Sequence, residues 1–173
     1  LELSKEQFRE LKVYAESKGL VFMSTPAGKE DIDELCEIGV QLFKVDSSNL
    51  TNTPYLEHMA KKGLPMIIST GMATLGDIEE AVDTIYKTGN RNIILLHCTA
   101  DYPPNVETVN LRAMKTLKQA FQVPIGYSDH TEGTTVSIVA VGLGACVIEK
   151  HITLDKNMKG PDHKASLDPN EFK

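Results

Sequence analysis

The chain has 173 residues, 41% of them hydrophobic and 24% charged, and a formal net charge of −6. That is globular composition and enough chain to bury a core. No apolar run approaches the ~20 residues that span a bilayer, and the lysines and arginines form no basic stripe, so neither a membrane nor a nucleic acid is an expected partner. The opening residues Leu1–Gln7 are too polar for a signal peptide. The chain lacks an initial Met and ends in a polar stretch, Asp168–Lys173, which reads as one partial domain, 1–173, of something longer. Cys36, Cys98 and Cys146 stand singly in apolar segments with no CxxC pair. Reduced, buried cysteines in a cytoplasmic protein are therefore expected.

One pattern then repeats along the chain. A short apolar run, rich in β-branched residues, ends in polar groups, and a capped amphipathic helix follows. The runs are Leu20–Ser24, Leu42–Val45, Met66–Ser69, Ile93–His97, Pro124–Tyr127 and Val147–Lys150. Ahead of the first, Ser4 and Gln7 form a capping box, with Phe8, Leu11 and Ala15 on one helical face. The next helix, from Asp31 to Ile38, carries Ile32, Leu35 and Cys36 and stops at Gly39. Thr53-Pro54 opens a third with Leu56, Met59 and Ala60 inward, ending at Gly63. Thr74 and Asp77 open a fourth, with Ile78, Ala81, Val82 and Ile85, closed by Gly89. Asn110 opens a fifth through Leu111, Met114, Leu117 and Phe121. The last, Thr135–Leu143, is apolar nearly all round and is expected to be well buried.

Strands alternating with helices predict a parallel sheet, either an open doubly wound one or part of a (β/α)8 TIM-type barrel. GxGxxG is absent, which disfavours a dinucleotide-binding sheet. Every strand ends in groups able to do chemistry, which suits a barrel, where all strand C-termini face one site. Six of the eight βα units are expected here, strands 3 to 8, with the first two before Leu1.

The strand ends carry Ser24-Thr25, Lys44 with Ser47, Ser69-Thr70, Tyr102, Ser128-Asp129-His130-Thr131 and Glu149-Lys150-His151. Hydroxyls, backbone N–H groups and an ammonium suit an anion such as a phosphate or carboxylate. His130 and His151 end neighbouring strands and could share a divalent metal with mixed N/O ligation; the alternative is two hydrogen-bonded structural histidines. His97 lies earlier on its strand and reads as structural, and His58 as a solvent-facing helix residue. Lys44 is either a rim lysine, an anion ligand or a Schiff-base lysine. Side chains alternate along a strand, so Glu149 and His151 point one way and Lys150 the other. Glu149 is then a metal-site or base carboxylate, or a buried carboxylate paired with a lysine. Beyond the last strand, Gly160-Pro161 makes a turn that brings Asp162 and His163 into a loop able to close over the site.

These motifs together resemble the sialic acid synthases, the N-acetylneuraminate and legionaminate synthases. The resemblance runs from about Leu20 to Leu167. It rests on Lys44-Val45-x-Ser47, Ile68-Ser69-Thr70-Gly71-Met72, Leu96-His97-Cys98-Thr99-x-x-Tyr102-Pro103, Pro124-Ile125-Gly126-Tyr127-Ser128-Asp129-His130-Thr131, Glu149-Lys150-His151-Ile152-Thr153-Leu154-Asp155 and Gly160-Pro161-Asp162-His163-x-Ala165-Ser166. It implies a metal-dependent transferase that condenses phosphoenolpyruvate with an N-acetylated amino sugar. On this resemblance His130 and His151 hold the metal, Mn²⁺ first and Mg²⁺ or Co²⁺ as alternatives. Thr25, Lys44, Ser47, Ser69, Tyr102 and Ser128 hold phosphoenolpyruvate. Asn49, Tyr102 and Asp162 contact the sugar, and Lys44, Tyr102, Glu149 and Asp162 are the catalytic set. It further implies a homodimer, and a C-terminal antifreeze-like domain that this chain lacks. The isolated chain is expected to be inactive. Asp46, Ser48, Asn49, Ala100 and Asp101 depart from the family's usual residues, which bears on the choice of sugar.

Overall fold

In the computed structural model, which describes residues 3–173, the chain divides into two compact units. One runs up to Ile68 and takes in Asp77–Ile93; the other takes Ser69–Gly76 and Ile94–Lys173. Five parallel strands alternate with helices. Among the described residues no helix is long and apolar enough to cross a membrane.

In the first unit, α1 (Lys5–Ser17) begins at the expected Ser4–Gln7 capping box. Its predicted inner face is only partly covered: no residue of α1 is buried, although the Phe8 ring meets Phe22 edge-on at 6.2 Å. Helix α2 (Lys29–Ile38) is held at its start by Asp31, whose carboxylate accepts the N–H groups of Ala27 and Gly28 at 2.9 and 3.0 Å. It ends at Gly39, whose φ of 81° is the left-handed conformation a glycine adopts without a steric penalty. Strand β1 (Phe43–Val45) pairs in parallel with β2 (Met66–Ser69), Phe43 opposite Met66. Both strands are buried on both faces, as parallel strands between helices must be. Helix α3 (Thr53–Ala60) is capped by Asn52 rather than Thr53, and buries Tyr55, Leu56, Met59 and Ala60. Helix α4 (Leu75–Lys87) buries the predicted Ile78, Ala81, Val82 and Ile85.

Leu20–Ser24 does not form the strand that its composition predicts. Its backbone is extended, and the Ser24 carbonyl takes a long 3.5 Å bond from Lys44 N–H, but Leu20, Val21 and Met23 stand exposed. A strand forms through a ladder on a partner, and a bond as long as this does not establish one.

In the second unit β3 (Ile93–Cys98), β4 (Ile125–Asp129) and β5 (Ile148–Lys150) pair in parallel. Their register sets Cys98 opposite Ser128, Ser128 opposite Glu149, and Asp129 opposite Lys150. Gly126 is required here. A Cβ on it would lie 2.5 Å from the Val147 carbonyl and 2.6 Å from Leu96 Cδ2. Helix α5 (Ala113–Phe121) starts three residues later than expected and packs Met114 and Leu117 on this sheet. Helix α6 (Thr135–Gly142) overturns its expected burial: only Val136 and Ala140 are buried, while Ile138 is 67% and Leu143 58% exposed. One stripe of a helix fits against a sheet, and no described residue covers the remainder. The cysteines are free, as expected, but Cys146 is exposed and Cys36 half-buried, so only Cys98 is the buried thiol predicted.

Candidate active site

The site in the second unit follows from period-two geometry. Ser128 and His130 project from one face of the β4 end, and their neighbours Glu149 and His151 project from the same face of β5. Asp129 and Lys150 point to the opposite face. The Ser128 hydroxyl donates to Glu149 Oε1 at 2.7 Å. The His130 and His151 rings stand nearly perpendicular, at 85°, with centroids 5.3 Å apart. The Tyr102 ring lies 3.9 Å from the His130 ring and 5.8 Å from that of His151. The two imidazoles that the sequence placed on adjoining strands are thus brought together, with the predicted Tyr102 beside them.

His130 Nδ1 lies 2.9 Å from the Thr99 carbonyl. A carbonyl only accepts, so Nδ1 carries the proton and Nε2 keeps its lone pair. Burial pushes the ring's pKa down, aided by the nearby His151 and opposed by the Thr99 bond. His130 is therefore neutral near pH 7, the form that ligates a metal. His151 Nδ1 lies 3.7 Å from Asp162 Oδ2, so the predicted loop carboxylate does reach the site. The loop is closed at its base: Ile152 bridges Leu167, Leu167 N–H donates to the His151 carbonyl, and Thr153 N–H to that of Leu167, both at 2.9 Å. His163 is tied away by Thr153 Oγ1 at 2.7 Å from its Nδ1. His97 is structural, as expected: its Nε2 donates to the Val109 carbonyl at 2.7 Å, and burial lowers its pKa. Ser69, at the end of β2, is buried.

The predicted site residues of the first unit are placed as follows. Thr25 is exposed. Lys44 is buried rather than reaching from a rim, with Nζ donating to the Val45 carbonyl at 2.9 Å. Ser47 opens a single helical turn, Ser47–Asn49. Asn49 donates to Asp46 Oδ1 at 2.8 Å and accepts from Asn52 at 3.2 Å, so this amide is engaged within its own turn. Asp46 also accepts from the Ser48 N–H and hydroxyl. Burial would raise its pKa, but the bonds from Ser48 and Asn49 hold the carboxyl below the usual range. His58 is not simply solvent-facing; its Nε2 pairs with Asp33 at 2.8 Å.

Among the described residues no group of three or more His, Cys, Asp or Glu side chains forms a metal cage. The donor set offered is two imidazoles, one with a defined free Nε2. That suits a divalent ion completing its coordination with water and substrate oxygens. The sequence did not disclose the network behind this face. Asp129 Oδ1 accepts from Thr131 N–H at 2.9 Å and Thr131 Oγ1 at 2.7 Å, and Oδ2 from Ser137 Oγ at 2.5 Å. Lys150 Nζ lies 3.2 Å from Asp129 Oδ2 and donates to the Thr131 carbonyl. Burial pushes the Asp129 carboxyl up, but the Ser137 and Thr131 bonds and the Lys150 charge outweigh it and hold it below the usual range. The Asp-x-Thr spacing was the one available signal.

Histidines, hydroxyls and a carboxylate gathered at the C-terminal ends of adjacent parallel strands define an α/β fold of the enzyme-bearing kind. The model of the NeuB family matches residues 1–173, and the chain belongs to that family. It is 53% identical over 175 residues to the N,N'-diacetyllegionaminic acid synthase of Campylobacter jejuni, covering 100% of this chain and 52% of that protein. It is 47% identical to the human N-acetylneuraminate-9-phosphate synthase, covering 99% of this chain and 48% of that one. The crystal structure of the N-acetylneuraminic acid (sialic acid) synthetase of Leptospira borgpetersenii superposes with a TM-score of 0.94 at 40% identity, over 98% of this chain and 59% of that one. The chain thus spans about half the length of the curated relatives it matches.

Proposed function

We propose that this chain is the larger part of the catalytic (β/α)8 barrel of a nonulosonate synthase. The full-length enzyme condenses phosphoenolpyruvate with an N-acetylated amino sugar, N-acetylmannosamine or a bacterial diacetylated analogue. The product is a nine-carbon sialic-acid-type sugar, and phosphate is released. The observation that carries this reading is the His130–His151 pair at 5.3 Å, beside Ser128, Glu149 and Tyr102, in a chain of the NeuB family.

His130, through Nε2, and His151 would hold a divalent metal, Mn²⁺ first. When bound, such an ion supplies Lewis-acid polarisation of the acceptor's aldehyde oxygen. The Ser128 and Ser69 hydroxyls bind the anionic donor. Tyr102 and Asp162 orient the sugar. The enol carbon of phosphoenolpyruvate attacks the aldehyde carbon. Water adds to the carbon bearing the phosphate, and the C–O bond to phosphate breaks. Glu149, hydrogen-bonded to Ser128, takes one proton from that water, the former aldehyde oxygen takes up a proton to become a hydroxyl, and the remaining proton of the added water leaves as the ketone forms and phosphate departs. The full-length protein works as a cytoplasmic homodimer.

The test is phosphate release by the full-length protein from phosphoenolpyruvate and a panel of N-acetylated amino sugars, with Mn²⁺ and after chelation. Release that requires both an amino sugar and the metal supports the reading. Release with pyruvate as donor, or no release with any amino sugar, overturns it.

A further inference from the structure

The histidine pair has a counterpart on the other face of the same two strands. Asp129 and Lys150 lie directly opposite one another in the β4–β5 register, one residue before His130 and His151. Asp129 is 0% exposed and the Lys150 side chain 4%. Removing an ammonium and a carboxylate from water is costly, and a pair so buried is retained only with further hydrogen bonds. These are present: four groups converge on the two charges, from Thr131 N–H, Thr131 Oγ1, Ser137 Oγ and the Thr131 carbonyl.

The network spans three elements. Asp129 ends β4, Lys150 ends β5, and Ser137 sits in the first turn of α6. It grips Thr131 through its N–H, its hydroxyl and its carbonyl. His130 is therefore clamped between two fixed residues, Asp129 and Thr131. Its ring is fixed from the other side by Thr99 and covered by Tyr102. Asp129 and Lys150 point to the face of the strands opposite the two histidines.

We propose that Asp129, Lys150 and Ser137 are positioning residues that fix the separation and aim of the two imidazoles. Lys150 joins the β5 end to the β4 end and so sets the distance from His151 to His130. Asp129 and Ser137 lock the turn that carries His130 into α6. This inference rests on the reading of His130 and His151 as metal ligands. Supporting groups behind ligating histidines typically alter metal affinity 10- to 100-fold when removed.

The experiment uses the full-length protein and three variants, Lys150→Met, Ser137→Ala and Asn90→Ala. Mn²⁺ affinity is measured by loss of the free-ion EPR signal, and the thermal midpoint of the metal-free protein in parallel. Asn90→Ala is the control, since it breaks a buried network of the first unit. The expected result is that Lys150→Met weakens Mn²⁺ binding at least 10-fold and Ser137→Ala at least 3-fold. Asn90→Ala lowers the midpoint but keeps the affinity within 2-fold. Should Lys150→Met not fold, Ser137→Ala decides at its own 3-fold threshold. Wild-type affinity in the folded variants, with wild-type protein binding Mn²⁺ and releasing phosphate, overturns the positioning role alone. Wild-type protein that binds no Mn²⁺ overturns the ligand reading and this inference with it.

Discussion

Gly126→Ala tests whether the β4–β5 register sets the site. The added methyl would meet the Val147 carbonyl at 2.5 Å and Leu96 Cδ2 at 2.6 Å, whereas ordinary contact begins at 3.4 Å. Leu96 is fully buried and has little room to yield. The Val147 carbonyl is backbone, and it accepts the Tyr127 N–H at 2.9 Å. Relief of the clash needs a shift of about 1 Å, which breaks that bond. A lost hydrogen bond costs about 1 kcal/mol, and overpacking adds about 1–3 kcal/mol. The sum, about 2–4 kcal/mol, lowers the thermal midpoint by several degrees. The shift falls on the pair of strands that carries His130 and His151, so Mn²⁺ affinity should fall with stability. Thermal unfolding of the full-length variant and Mn²⁺ titration are the assays. A midpoint within about 1 °C of wild type, with unchanged affinity, would mean that this close approach does not set the register.

Asn90→Ala should cost about 2–3 kcal/mol in urea unfolding. Its amide donates to the Leu64 carbonyl and its oxygen accepts from Asn92 N–H, both at 2.9 Å, and Ala removes both bonds. A change below about 0.5 kcal/mol would contradict the accounting. His97 gives a pH dependence. Burial lowers its folded-state pKa below the usual 6.5, so the unfolded chain binds more protons between the two values. The stability is therefore present above about pH 6.5 and lost as pH falls through that window. His97→Gln keeps a donor for the Val109 carbonyl but does not titrate. Its stability should decline less than wild type between about pH 7 and 5; parallel curves would falsify the assignment.

The elements that were legible in the sequence are those fixed locally. The Ser4–Gln7 box, the Gly39 stop and the buried stripe of α4 depend on near neighbours, and each formed as read. The failures depend on what lies opposite. Leu20–Ser24 has strand composition without a ladder, and α6 has core composition with most of its surface uncovered. In the site, the pairing of His130 with His151 was accessible because strand alternation and neighbouring strand ends suffice to pair them; the Ser128–Glu149 bond was not. The burial of Lys44, the Asp46–Asn49–Asn52 turn and the Asp129–Lys150 pair were not. They are set by side-chain rotamers and by which face each strand presents to a helix.

Anomalous scattering at the manganese edge, from crystals of the full-length protein grown with Mn²⁺, shows directly whether the two imidazoles share one ion. One peak is expected within bonding distance of His130 Nε2 and of a ring nitrogen of His151, absent in His130→Ala. A peak elsewhere, or none between these rings at saturating Mn²⁺, would contradict that shared ligation.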